Sequence, residues 1–192
     1  MSLNLERQLT FYGAYHHNPV NVRIHMIFVP LILFSFFGFS ANSGTIIPLP
    51  SWLTIPYLQL NLCTIFSLMW GGLYVLLEPV AGTALALICL GAAAVDNYLF
   101  SIAPWTFTKY ALILHVFSWV AQFIGHGKFE GRAPALFDNI FQAFFLAPLF
   151  VWLELLFSLG YRAELQKRVE KAVAKEIEKF KAEKATKGTK AQ

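Results

Sequence analysis

The chain reads as an all-α, polytopic helical membrane protein with four to five apolar segments and a basic C-terminal helical tail. Three features of the sequence point that way. First, 57% of the 192 residues are hydrophobic and only 14% charged, whereas soluble domains carry roughly 45–50% apolar and about 25% charged residues. Second, the apolar residues gather into runs long enough for helices that cross a hydrocarbon core, which takes roughly 20 residues each. Third, Trp52, Tyr57, Tyr98, Trp105, Tyr110 and Tyr161 stand at the ends of those runs, as an interfacial aromatic belt requires.

Taken in order, residues 24–40 form the first run, broken only by His25, a serine and an early Pro30. Residues 57–77 form the second, ended by Glu78-Pro79, and residues 80–100 the third, rich in Gly and Ala and carrying Asp96-Asn97. Such small residues permit close helix packing in a bilayer. Residues 106–124 are the fourth run, and residues 137–159 the fifth, interrupted by Ala147-Pro148. The uncharged, proline-containing loop 41–56 suits a short connection on the side away from the cytosol. Residues 1–25 are polar and His-rich, without the pattern of a cleavable signal peptide.

The domain reading is one membrane-embedded unit over 1–160 and a basic, partly helical or disordered cytosolic tail over 161–192. The tail holds ten of the fifteen Lys/Arg and five of the eleven Asp/Glu. The formal charge of +4 therefore belongs to the tail. With a single aromatic past Tyr161, Phe180, the tail lacks the signature of a nucleic-acid partner. Leu165, Val169, Val173 and Ile177 recur every fourth residue, which gives a helix with a narrow apolar stripe. A resting place on an anionic membrane surface is the favoured expectation. Cys63 and Cys89 lie within apolar runs and read as small buried residues. No feature of the sequence fixes an oligomeric state.

All five histidines fall in two windows at the edges of apolar runs. The first is Tyr12-Gly-Ala-Tyr-His16-His17-Asn18-Pro19-Val-Asn21-Val-Arg23-Ile-His25, and the second runs from His115 through Trp119, Gln122, Gly125, His126, Gly127, Glu130 and Arg132 to Pro134. Polar groups beside hydrocarbon are costly and tend to be there for a function. Imidazole is the commonest ligand for first-row transition metals. Asn18-Pro19 reads as a helix start, with Asn at the cap and Pro in the first turn. His16 and His17 then come from a turn and His25 from a helix. His115, Gln122 and His126 share one stripe of a helix. With four spans between His25 and His126, both windows face the same side of the membrane. A full fifth span would send the basic tail to the other side, so a re-entrant pair of half-helices broken at Pro148 is expected instead.

The adjacent His16 and His17 do not both bind one ion, and each histidine taken alone fits an ordinary interfacial residue. Together the five point to a metal site. Glu130 is either a ligand or a partner of Arg132. Asn21, Gln122 and Tyr12 are hydrogen-bond partners more than ligands. Arg23 and Arg132 are candidates for a substrate carboxylate or membrane-facing anchors. Fe(II), Zn, Cu and Ni all suit such imidazoles, and no cysteine lies near enough for a typical structural zinc site. Five histidines, none in a His-x-x-His-His cluster, are too few for a di-iron membrane hydroxylase. A mononuclear centre fits.

The same windows carry a family resemblance. Phe11-Tyr12, Tyr15-His16-His17-Asn18-Pro19, Asn21, Ile24-His25 and Phe28-Val29-Pro30 are followed by Trp119, Gln122-Phe123-Ile124-Gly125-His126, Phe129-Glu130-Gly131-Arg132 and Pro134-Ala135-Leu136, then Asp138-Asn139 and Leu146-Ala147-Pro148. This pattern resembles the fungal 2-hydroxy fatty acid dioxygenase family, small multi-pass proteins of the endoplasmic reticulum membrane with bacterial relatives. The likeness spans most of residues 5–160 and leaves out the tail. It implies an Fe(II)-dependent dioxygenase of fatty acid α-oxidation that uses O₂ to convert a 2-hydroxy fatty acid to the one-carbon-shorter, odd-chain acid, as in phytosphingosine breakdown. It maps the family histidines to His16, His25 and His126, with His115 a fourth metal candidate from its stripe. His17, Asn21, Gln122, Glu130, Arg132 and Arg23 are then supporting or substrate candidates. A carboxylate and a 2-hydroxyl can chelate one iron ion, and Phe-rich stretches 34–39 and 141–145 are candidates to line an acyl slot. The alternative is a non-catalytic lipid-binding or scaffolding membrane protein with structural zinc.

Overall fold

The computed structural model describes residues 4–190 apart from 135, 137, 138 and 141, and side chains as far as Ala182. The chain is all-α: among the described residues the only β feature is an isolated bridge between Ile47 and Leu60. Helix α1 (Leu5–Tyr15) starts where the Asn4 side chain accepts from the Arg7 amide at 3.0 Å. Helix α2 (Pro19–Ser40) starts as expected, with Asn18 Oδ1 accepting from the amides of Val20 and Asn21 and Pro19 in the first turn. It continues through Pro30 without ending.

Helices α3 (Leu62–Leu77), α4 (Pro79–Ile102) and α5 (Pro104–Ile124) follow as an up-and-down series. Three helical stretches are long and apolar enough to cross a membrane: Pro19–Ser43, Pro79–Ile102 and Pro104–Glu130. The second expected run is shorter than read, because its first residues never enter the helix. Tyr57 takes a left-handed φ of 61° and Asn61 caps α3 through the Thr64 amide. At 16 residues α3 is roughly 24 Å long. It is held against α4 by a buried polar knot in which Asn61 donates to Asn97 at 2.6 Å and Asn97 donates to Thr64 and to the Tyr57 carbonyl.

The fifth run differs from expectation in where it turns. Residues Gln142–Leu146 form a π-helical turn that passes into α6 (Ala147–Ser158). Pro148 lies in the first turn of α6, where its missing N–H is no loss, so it breaks nothing. The bend of 117° comes after Ser158, where Gly160 and Arg162 adopt φ of 88° and 48°. The chain still enters and leaves at one end of the bundle. Gln142 donates to the Gln8 carbonyl of α1 at 3.1 Å, and Tyr161 and Arg162 bind the Glu78 carboxylate between α3 and α4. Both anchors are at the end where α2 begins and α5 stops. Phe137, Asp138 and Phe141 lie outside the described residues.

Helix α7 (Ala163–Lys190) corrects the expectation for the tail. Its apolar stripe is docked on α1: Leu165 and Val169 are buried in one cluster with Leu5 and Leu9, and Arg168 pairs with Glu6 at 3.1 Å. Gly13 allows this approach, since a Cβ there would stand 2.6 Å from a methyl of Val173. The stripe is consumed because α1 has an apolar face of its own that needs cover.

Candidate metal centre

His16 stands one residue past the end of α1, His25 two turns into α2, and His126 in the π-helical turn Gly125–Glu130 that prolongs α5. The three rings meet edge to face, with centroids 4.3 Å apart for His16 and His25 and 4.8 Å for each with His126. One ligand atom from each lies within 4.8 Å of the others. The δ nitrogens of His16 and His25 donate to the carbonyls of Tyr12 (2.8 Å) and Asn21 (2.9 Å), each one turn earlier. That bond fixes the tautomer and leaves the ε lone pair free for an ion, as carbonyl-oriented histidine ligands do. Nδ1 of His126 is buried without a hydrogen-bond partner. His16 is stacked on Tyr12 at 4.0 Å, and burial, then the neighbouring His25, hold its pKa well below 6.5. It is neutral at physiological pH, the form that binds a metal. Three converging neutral imidazoles with an unsatisfied nitrogen fit a mononuclear transition-metal centre.

Glu130 ties the two windows together and is neither a ligand nor a partner of Arg132. Its carboxylate accepts from the amides of His17 and Asn18, both at 3.1 Å, and from Asn21 Nδ2 at 2.9 Å, and it pairs with the His17 ring. Two of those donors are the backbone amides just before α2, so the carboxylate stands at the positive end of that helix, which favours an anion. The π turn closes on α2 at Gly125, where a Cβ would come within 2.4 Å of Asn21 Oδ1. Glycine is the residue that fits so close an approach.

His115 is not part of the centre. It shares a stripe with His126, but eleven residues at 1.5 Å each put it roughly 16 Å away along the helix. Trp119 Nε1 donates to its Nε2 at 3.0 Å, so its Nδ1–H is left for Ser35 Oγ, also at 3.0 Å, and no lone pair is available. Neither arginine reaches the centre. Arg23 is exposed and donates to the Pro19 carbonyl. Arg132 donates to the Ala14 carbonyl at 2.9 Å and lies between the rings of Tyr15 and Phe180.

From the triad an apolar slot runs along α2 past Val29, Ile32 and Leu33 to Phe36 and ends against Trp70 and Phe144. Of the two Phe-rich stretches, the slot uses Phe36 and Phe144, whereas Phe37 is core. Trp70 of α3 was not among the sequence candidates. Nothing in the second apolar run distinguishes a slot-facing tryptophan from a packed one.

Residues 2–159 match the family described as 2-hydroxy-palmitic acid dioxygenase Mpo1-like. The chain belongs to the Mpo1-like family. It is 41% identical over 170 residues to 2-hydroxy-palmitic acid dioxygenase MPO1 of Saccharomyces cerevisiae, covering 88% of each chain. No solved structure matches it. The Mpo1-like match ends at residue 159, so the α7 tail lies beyond it, while both histidine windows and the slot lie within.

Proposed function

We propose that this protein is an Fe(II)-dependent dioxygenase of fatty acid α-oxidation, taking a 2-hydroxy fatty acid and O₂ to the one-carbon-shorter acid, as in phytosphingosine breakdown. The observation that carries the reading is the position of the triad: three neutral imidazoles converge at one end of an apolar slot. His16, His25 and His126 would hold the iron, which supplies the O₂ chemistry that no side chain performs. The chain's own residues do the rest. Tyr12 and Asn21 present the imidazoles in one tautomer. Glu130 holds the two windows in register. The slot takes the acyl chain and keeps water from the reacting end.

We assign the chemistry to residues 1–160 and a supporting role to the tail. We further propose the endoplasmic reticulum membrane as its location, with tail and triad on the cytosolic side. The basic tail favours that orientation, and α7 packs on α1 next to the triad. The deciding experiment is anaerobic Fe(II) reconstitution of the purified protein, then O₂ and product analysis with 2-hydroxypalmitate. Oxygen uptake with formation of the odd-chain acid is expected. Tightly held zinc with no turnover would replace the enzyme reading with the scaffold one.

A further inference from the structure

Among the described residues no Lys or Arg lines the slot, and Arg23 and Arg132, the two arginines of the histidine windows, are turned to other partners. Neutral donors must therefore share the head group with the metal. Outside the triad, five polar side chains line the slot among the described residues: Tyr12, Trp70, Trp119, Gln122 and Gln142. Gln142 is spent, donating to the Gln8 carbonyl and accepting from Asn139. Trp119 donates to His115. Trp70 stands among Phe36, Phe144 and Phe145 at the far end. Gln122 and Tyr12 remain. Gln122 Nε2 and the Tyr12 hydroxyl are buried and have no hydrogen-bond partner. Gln122 is one turn before His126, and Tyr12 is stacked on His16, so both stand beside the triad. A buried donor without a partner is costly, and such groups in native proteins usually answer to a ligand or water.

We propose that Gln122, with the Tyr12 hydroxyl, binds the polar head of a 2-hydroxy fatty acid next to the metal, so that a neutral amide does the work an arginine does in most carboxylate sites. This rests on the substrate class given above. An amide donor has a further consequence. It accepts the hydroxyl of the substrate as well as donating to its carboxylate, and a guanidinium cannot accept. The pair therefore discriminates a 2-hydroxy acid from the unsubstituted acid.

The test is equilibrium binding of labelled 2-hydroxypalmitate, palmitate and hexadecane to full-length, iron-loaded protein without oxygen. Gln122→Leu and Tyr12→Phe each should weaken 2-hydroxypalmitate roughly tenfold, about one hydrogen bond to a charged group, and leave hexadecane unchanged. Gln122→Glu keeps the shape but repels the carboxylate, and should be worse than Gln122→Leu. Iron content should stay at the wild-type level in all three. Equal losses for hexadecane, a Glu variant no worse than Leu, or unchanged 2-hydroxypalmitate binding would overturn the assignment. Head-group-dependent binding in a wild-type protein that consumes no oxygen would support the assignment and remove the dioxygenase reaction instead.

Discussion

Glu130 and Asn21 are 109 residues apart and joined by a buried hydrogen bond of 2.9 Å. Asn21 in turn gives its carbonyl to His25, and Glu130 lies four residues past His126. The contact links the two halves of the triad, so its loss is felt at both. Replacing Glu130 by Ala leaves the His17 and Asn18 amides and the Asn21 amide without their acceptor. Leaving a buried donor without its acceptor costs about 1–3 kcal/mol. A lower melting temperature in detergent and weaker iron retention are expected from thermal denaturation and metal analysis. Unchanged metal content would mean that the triad is held without this clamp.

The ligand assignment separates histidines that sequence alone treats alike. His16→Ala, His25→Ala or His126→Ala should each abolish iron retention and turnover while the protein still inserts. His115→Ala should keep its iron, since both ring nitrogens already have partners in Ser35 and Trp119. Iron loss in the His115 variant, or normal activity in any of the three others, would contradict the geometry.

The contrast shows how far the sequence could be read. The windows, the cap at Asn18 and the run of antiparallel helices follow from local signals: spacing, capping chemistry and span parity; His16, His25 and His126 are set apart from the other histidines by the family resemblance alone. His115 was misread because a shared helical stripe fixes an angle and leaves the distance along the axis open. Glu130 was misread because its partners are backbone amides 112 and 113 positions away. The tail stripe was legible, but its docking partner depends on α1 having an uncovered face. The turn after Ser158 was missed because Pro148 is the louder signal, although a proline in a first helical turn interrupts nothing.

Acyl-chain length should be set by Trp70. It is buried at the end of the slot, against Phe36 and Phe144. Trp70→Leu removes the indole while keeping an apolar floor, and should move the preferred 2-hydroxy acid to a longer chain. Competition assays with a homologous series would measure it. An unchanged optimum with reduced stability would make Trp70 core only.

Ending the chain after Tyr161 removes the cover from Leu5, Leu9 and Gly13 but no residue of the triad or slot. Leu165 and Val169 are both buried, and a fully buried side chain of this kind contributes roughly 1.5–3 kcal/mol. The shortened protein should therefore melt earlier, lose iron faster on dilution into chelator, and still turn over substrate when supplied with fresh iron. An inactive protein of wild-type stability would give the tail a direct part in the chemistry.

Three positions test sidedness. Lys128 is exposed beside His126, Lys171 is exposed on α7, and Ser51 is exposed in the loop at the other end of the bundle. Helices α2 to α5 return the chain to its starting end, and α6 enters and leaves there, so Lys128 and Lys171 should share one compartment and Ser51 should face the other. The ten basic residues of the tail favour the cytosol for the first pair. Single cysteines at the three positions, with Cys63 and Cys89 replaced, can be labelled in sealed microsomes by an impermeant maleimide. Positions 128 and 171 should react at once and position 51 only after permeabilisation. Reaction at 171 without 128 would mean that the segment ending at Ser158 crosses the membrane, whereas reaction at 51 alone would invert the whole protein and place the iron site in the lumen.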